Sequence, residues 1–363
     1  MTKRVHNFNA GPGTLPFEVV QEASQGVLEF KGTGMSIMEM SHRSKEYDQV
    51  IKEAAADMLE LLGAPANYKA LFIGGGASLQ FSMTAMNFLP ADGAADYINT
   101  GEWATKAIKE AKLFGKVNVV ASSEDKKFSY IPDVKNLAFN PDAAYLHFTT
   151  NNTIYGTEFH EYPAPPANVP LFSDMSSDFM SRPFDITKFA LIYAGAQKNV
   201  GPAGVTVVIL REDMLEKIKP GLPTMLSYQT HWKNDSLFNT PPCVNVFVVG
   251  LVMKWLKKNG GLKAVEEVNV RKAKLIYDAI DNSGGFYRGT VAPEARSLMN
   301  ITFRLPSEEL EEKFVKEAGA ADCKGLKGHR SVGGIRASTY NALPEASCQV
   351  LADFMKEFAR RNG

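Results

Sequence analysis

Between residues 68 and 210, short runs rich in β-branched and aromatic residues alternate with stretches of helical spacing. The runs predict strands over 69–73, 96–99, 117–121, 144–149, 170–173, 189–194 and 205–210. Several are apolar along most of their length instead of at alternate positions. That pattern marks a mostly parallel sheet covered on both faces, an α/β arrangement. Helices are predicted over 78–89 and 105–114, the first so apolar that both of its sides must be packed.

Further along, helical spacing covers 244–258 and 262–281, interrupted by Asn259-Gly260-Gly261, a helix stop. The pattern then changes to a strand over 297–303, a helix over 307–318, a loop and strand over 331–338 and an amphipathic helix over 344–361. The expected organisation is a large domain over 16–260 and a smaller α+β domain over 261–363. Residues 1–15 are expected to pack near the active site.

Composition narrows the class. With 363 residues, 45% hydrophobic and 22% charged, the chain has the make-up of a folded globular protein, not a disordered one. Forty Lys and Arg balance forty Asp and Glu, so no overall field draws it to nucleic acid or an anionic membrane. Cys243, Cys323 and Cys348 are too widely spaced for a metal knuckle or a disulfide framework, and reduced thiols are expected. The longest apolar run, 246–253, falls short of the about 18 residues of a membrane span. No secretory signal opens the sequence, and a cytoplasmic location is the expectation. His147 and His160 lack metal-binding spacing, so no metal is expected.

Three segments carry candidate chemistry. In FALIYAGAQKNVGPAG, from Phe189, an apolar strand ends in small residues that present Lys198. Desolvation there lowers an amine's pKa and frees it to attack a carbonyl, so Lys198 could hold pyridoxal phosphate as a Schiff base. A surface lysine between strands would read the same way. In VPLFSD, from Val169, a strand ends in Asp174, which could keep a pyridine nitrogen protonated or simply cap a turn. Ligands of open α/β sheets lie beyond the carboxyl ends of strands, so Asp174 and Lys198 could share one crevice.

The third segment, KALFIGGGASLQ from Lys69, leads from strand through three glycines into a helix. Its free N–H groups and Ser78 suit a phosphate. Leu79 stands where a dinucleotide fingerprint needs its last small residue, which weakens a nucleotide reading. Two basic loops, His42-Arg43 and Lys327 to Arg336, suit a small dianion or are solvated charges. Trp103 could stack on a planar ring or belong to the core.

Taken in order, NFNAGPG (from Asn7), MEMSHR (Met38), GGGAS (Gly74), NTIYG (Asn152), DMSS (Asp174), YAGAQKNVGPAG (Tyr193), FNTPP (Phe238) and GHRSVGGIRAS (Gly328) span nearly the whole chain. The set resembles the phosphoserine aminotransferase family of fold-type I, class V pyridoxal-phosphate enzymes. The resemblance implies that Lys198 carries the cofactor as a Schiff base and Asp174 pairs with its pyridine nitrogen. Trp103 would stack on the ring and Thr153 would bond the phenolic oxygen. Ala77, Ser78 and Gln197 would hold the cofactor phosphate, joined by Asn239 and Thr240 of a second subunit in a homodimer. His42 and Arg43 from that subunit, with His329 and Arg330, would take the substrate phosphate, and Arg336 the α-carboxylate. Ser78 stands where some family members carry an arginine.

The implied reaction is ping-pong amino transfer between L-glutamate and 3-phosphohydroxypyruvate, giving 2-oxoglutarate and O-phospho-L-serine in serine biosynthesis. Whether 4-phosphohydroxy-L-threonine, of pyridoxine biosynthesis, is a second substrate stays open. An alanine–glyoxylate aminotransferase would share Lys198 and Asp174 without needing the basic loops. A cysteine desulfurase would need a mobile thiol, for which Cys323 is the loop candidate. A nucleotide-binding oxidoreductase would use Gly74 to Ser78 for a pyrophosphate.

Overall fold

A computed structural model describes residues 4–363. At its centre is a seven-stranded sheet of β1 (Tyr68–Ile73), β2 (Ala94–Asn99), β3 (Lys116–Ser122), β4 (Leu146–Thr149), β5 (Leu171–Asp174), β6 (Leu191–Gly195) and β7 (Thr206–Arg211). The order across the sheet is β1-β7-β6-β5-β4-β2-β3. Only β7 runs against its neighbours, with Thr206 opposite both Ile73 and Gly195; the other adjacent pairs are parallel. The seven expected strands are these seven, displaced by a few residues at their ends. The fold is α/β with a mostly parallel sheet.

Strand β6 shows why the apolar runs are continuous. Leu191 and Tyr193 enter one core while Ile192 and Ala194 enter the other. Successive side chains point to opposite faces, and here both faces are covered. The helices of the described residues are α1 (Phe17–Leu28), α2 (Lys45–Leu61), α3 (Gly76–Phe88), α4 (Glu102–Ala111), α5 (Tyr228–Lys233), α6 (Cys243–Lys258), α7 (Gly261–Asp281), α8 (Glu308–Ala320) and α9 (Glu345–Asn362). Helices α3 and α4 pack on the Tyr193 side, and α2 and α6 on the Ile192 side. Phe172 of β5 stacks on Tyr145 at 4.7 Å and meets Phe88 of α3 edge-on at 5.2 Å.

Helices α1 and α2 are not among the expected elements, although the signal for α2 is present. Ser44 caps it by accepting the Tyr47 N–H at 3.2 Å, and Tyr47, Val50, Ile51, Ala54 and Met58 form a buried stripe at helical spacing. The expected break after α6 is there: Gly260 and Gly261 take φ of +90° and +72°, conformations that glycine adopts without a Cβ penalty.

A separate core lies towards the C-terminus. Strands β8 (Arg288–Gly289), β9 (Asn300–Arg304) and β10 (Ile335–Ser338) form an antiparallel sheet. The second half of α7, with α8 and α9, packs against it. Phe314 sits at the middle, its ring 5.2 to 6.0 Å from those of Tyr287, Phe303, Phe354 and Phe358. Phe8 joins this core, and His6 pairs in parallel with Cys323. Cys323 is therefore a buried strand residue and not the loop cysteine expected from sequence; the pairing with the N-terminal segment was not readable locally. Buried and paired in a strand, it does not suit the mobile nucleophile a desulfurase requires, and burial also pushes its thiol up to about 11.

Replacing Phe314 with Ala should cost about 3–5 kcal/mol through lost burial and the cavity left behind. A urea titration should show the midpoint falling accordingly; an unchanged midpoint would mean that this ring does not hold the second core together.

Candidate active site

The parallel strands β1, β2, β4, β5 and β6 end at the same edge of the sheet, where α/β folds place their ligands. The chain that leaves each end supplies the candidate residues: Gly74 to Ser78 after β1, Trp103 after β2, Asn151 to Thr153 after β4, Asp174 at the tip of β5, and Lys198 after β6. They surround a cavity of about 340 Å³. Of the residues expected from sequence, Ala77, Ser78, Trp103, Thr153, Asp174, Gln197, Lys198, His329 and Arg336 line it.

Lys198 is buried, and its Nζ donates to Thr153 Oγ1 at 2.8 Å. Burial lowers its pKa to about 8; Asp174 opposes this shift and Arg336 adds to it. Asp174 is buried as well. Its Oδ1 accepts the Ser176 N–H at 2.9 Å and the Ser176 O–H at 2.6 Å. Ser176 Oγ in turn accepts the Gly195 N–H at 3.1 Å, so the hydroxyl has one orientation open to it. The other carboxylate oxygen takes no hydrogen bond among the described residues. Burial raises the Asp174 pKa, against the lowering by Ser176 and Lys198. A desolvated carboxylate with one oxygen free is matched to a cationic ring nitrogen.

At the other end of the cavity, Gly75 and Gly76 take φ of +91° and +66° as the chain turns into α3. The backbone N–H groups of Gly76, Ala77 and Ser78 have no partner among the described residues, and a Cβ at Gly74 or Gly76 would meet nothing within 4 Å. This open helix start suits a phosphate. The buried indole Nε1 of Trp103 is also unpartnered. Arg336, on β10, donates through Nη1 to the Thr153 carbonyl at 3.3 Å, and its buried Nε has no partner among the described residues. Thr153 thereby touches both the amine and the guanidinium. Burial, and then Arg336 and Arg330, hold the His329 pKa down; its Nδ1 lies 2.7 Å from Ser331 Oγ.

Five expected residues do not line this cavity. His42 and Thr240 meet each other, Nδ1 to Oγ1 at 3.0 Å, with Arg43 and Asn239 exposed nearby in sequence. Arg330 lies exposed on the glycine loop and borders a neighbouring cavity with Arg304 and Glu311. Sequence reading missed Gly11, Asn151, Ser176 and Ser177, which line the site. Ser176 was within reach, since an Asp two residues before a Ser commonly accepts from its backbone. Gly11 was not: it takes φ of +137° and a Cβ on it would lie 3.4 Å from Lys198 Cγ, a contact across 187 residues of chain (198 − 11). Among the described residues no helix is long and apolar enough to cross a membrane, and no cluster of His, Cys, Asp or Glu is arranged for a metal.

Residues 5–351 match the family described as aminotransferase class-V. A phosphoserine aminotransferase of Lysinibacillus sphaericus is 56% identical over 362 residues, covering 100% of both chains. The solved phosphoserine aminotransferase of Bacillus circulans subsp. alkalophilus superposes with a TM-score of 0.98 at 54% identity, again over 100% of each chain. The PLP-bound phosphoserine aminotransferase of Trichomonas vaginalis has a TM-score of 0.92 at 39% identity, over 97% of this chain and 100% of that one.

The Lys198 shift sets a pH dependence. The protonated amine is the form disfavoured by burial, so the free amine should predominate above about pH 8 and not only above the 10.5 of an exposed lysine. Trapping of an aldehyde on Lys198 in the cofactor-free chain should rise through that pH; a midpoint near 10.5 would contradict the desolvated site.

Proposed function

Because the chain belongs to the class V aminotransferases, and within them to the phosphoserine aminotransferase family, we propose that Lys198, Asp174 and Arg336 are the residues through which it exchanges an amino group between L-glutamate and 3-phosphohydroxypyruvate. The chain is a pyridoxal-phosphate-dependent transaminase, forming O-phospho-L-serine and 2-oxoglutarate in serine biosynthesis. One observation carries the assignment of residues: a buried amine and a buried carboxylate with a free oxygen open into the same cavity.

The residues fit the cofactor. Lys198 would join its aldehyde carbon, the free oxygen of Asp174 would face its ring nitrogen, and Trp103 would lie on the ring. Thr153 would bond the phenolic oxygen. The open start of α3 with Ala77 and Ser78, together with Gln197, would hold the phosphate. Bound there, the cofactor supplies an electron sink for the pair left when the substrate Cα–H bond breaks.

Lys198 would then take the α-proton and return it, a task suited to an amine whose pKa is lowered to about 8. Asp174, its Oδ1 fixed by Ser176, would keep the ring nitrogen protonated. Arg336 would grip the α-carboxylate with a planar fork. His329 and Arg330 would receive the substrate phosphate in one half-reaction and the glutamate γ-carboxylate in the other.

In this reading the active unit is a homodimer: His42, Arg43, Asn239 and Thr240 of a second copy complete the anion sites. The His42–Thr240 contact supports this, because it gathers those residues in one patch away from their own cavity. The enzyme works in the cytoplasm on small molecules, and neither nucleic acid nor membrane is a partner. Residues 16–260 and 261–363 act as large and small domains, supported by the separate core around Phe314. Of the segment 1–15, residues 1–3 lie outside the described residues; the rest lies over the site, supported by Gly11 against Lys198 and by the Gly13 N–H donating to the Gln197 carbonyl at 2.7 Å.

Lys198→Ala should remove both the yellow absorbance of the loaded protein and its turnover. Full turnover in that variant would defeat the assignment. Arg336→Ala should lower kcat/KM for glutamate by an amount equivalent to about 2–5 kcal/mol, as for truncating one side of a buried charge pair. Unchanged kcat/KM would refute its carboxylate role.

A further inference from the structure

Behind the cavity lies a chain of polar side chains for which the reaction as described has no use. Asn199, Asn269, Asn341 and Lys272 are all buried, between 0% and 6% exposed. The Asn341 N–H donates to Asn199 Oδ1 at 3.0 Å, and Asn199 Nδ2 donates to the Ser177 carbonyl at 3.1 Å. Asn341 Nδ2 reaches the Met180 carbonyl at 2.8 Å, while Asn269 Nδ2 bonds both Asn341 Oδ1 at 2.8 Å and the Ser181 carbonyl at 3.0 Å. Lys272 directs its Nζ at three successive carbonyls, those of Thr339, Tyr340 and Asn341, at 3.0, 2.8 and 3.4 Å. It has no carboxylate partner among the described residues, so these carbonyls hold the ammonium.

The arrangement joins three pieces of chain. Ser177 follows Asp174 by three residues, Asn199 follows Lys198 directly, and residues 339–341 continue from β10, the strand that carries Arg336. Asn199 spends its amide nitrogen on the first piece and, at 3.7 Å, on Met299 Sδ, and its amide acceptor on the third. Lys198 sits outside any strand or long helix, and among the described residues the one hydrogen bond of its long side chain is to Thr153. Its placement therefore depends on how its own stretch of backbone is anchored.

We infer that Asn199 is a positioning residue: by bridging Ser177 and Asn341, with Lys272 clasping the 339–341 turn, it fixes the Lys198 amine relative to the Arg336 guanidinium. Those two groups must act on adjacent parts of one amino acid, the α-carbon and the α-carboxylate. A misplacement of the order of 1 Å is enough to lower a rate by about a hundredfold. The inference rests on the proposed role of Lys198 and adds to it a residue that touches neither substrate nor cofactor.

The test compares wild type with Asn199→Ala and Asn199→Asp. The aspartate keeps the shape and an acceptor for Asn341 but turns a second oxygen towards the Ser177 carbonyl. Cofactor-free protein, shown to be folded by circular dichroism, is mixed with pyridoxal phosphate across a pH series. Borohydride then fixes the adduct, and mass spectrometry of the peptides counts Lys198 capture. The charged groups bearing on that amine are Asp174, Arg336 and Asp178; Asn199→Ala leaves this set unchanged, whereas Asn199→Asp adds one carboxylate to it.

In Asn199→Ala the capture midpoint should move up by about one pH unit as the loosened amine gains water. In the reloaded enzyme kcat should fall about tenfold or more, with KM for glutamate within about twofold, since Arg336 and His329 remain. If the alanine variant does not fold, the same split of kcat from KM is expected of Asn199→Asp, read without the midpoint because its added carboxylate raises the amine pKa by itself. A folded variant with wild-type midpoint and kcat overturns the inference, as does a loss of melting temperature alone. Failure of wild type to capture the cofactor on Lys198 would overturn the reading beneath it as well; capture by wild type with unchanged variants removes only the role of Asn199.

Discussion

Lys198 and Asp174 are both withdrawn from water, and each is held by groups that orient it without neutralising it. Burial disfavours the charge on each, lowering one pKa and raising the other. Their mutual attraction does not cancel the desolvation. Such a pair is costly in a core made only for stability. It becomes useful when a third group arrives that needs an unprotonated amine at one end and a carboxylate at the other. The free oxygen of Asp174 and the unpartnered N–H groups at the start of α3 are unmet capacity of the same kind, at opposite ends of one cavity.

The surrounding fold follows from keeping that cavity dry and fixed. Parallel strands bring to one edge the five chain exits that supply the site, and two covered sheet faces make the edge rigid. The N-terminal segment closes over it, and glycines allow the approach. A Cβ on Gly13 would lie 2.7 Å from the Tyr340 ring and 3.1 Å from the Lys198 carbonyl. The Tyr340 hydroxyl donates to the Ala10 carbonyl at 2.7 Å, so the segment is bonded as well as packed. The same tyrosine belongs to the turn clasped by Lys272. Cover, amine and guanidinium thus share one set of anchors.

Much of this was legible along the chain, for reasons that differ by element. The seven strands could be read because doubly buried strands are apolar throughout, and each ends where polar or glycine residues begin. Asp174, Lys198 and Gly74 to Ser78 could be read because strand ends in α/β folds are where ligands bind, so position alone raised their standing. Helix α2 carried its own signal in Ser44 and the Tyr47 stripe. What local pattern does not encode is contact between distant segments. Cys323 reads as a loop residue until His6 pairs with it, and Gly11 reads as a turn residue until Lys198 is found beneath it. Ser176 and Asn199 belong to the same group: their chemistry is ordinary, and their importance lies in what they bridge.

Charge arithmetic within the cavity bears on the assembly. The cationic side chains lining it are Lys198 and Arg336, and burial lowers the pKa of both. His329, beside them, is held towards its neutral form by burial and by Arg336 and Arg330. A substrate with a carboxylate and a phosphate brings more negative charge than Arg336 alone can match, and Lys198 must give up its proton to act. Arg330 is close along the chain but exposed on its loop. The other basic residues expected at the anion site, His42 and Arg43, lie in a patch that this chain does not turn towards its own cavity. A second copy facing the opening would bring in the missing cations, and it would leave His329 able to take a proton once the anion is present. The electrostatics of a single chain are thus those of half a site, which is the physical reason for proposing that two chains share it.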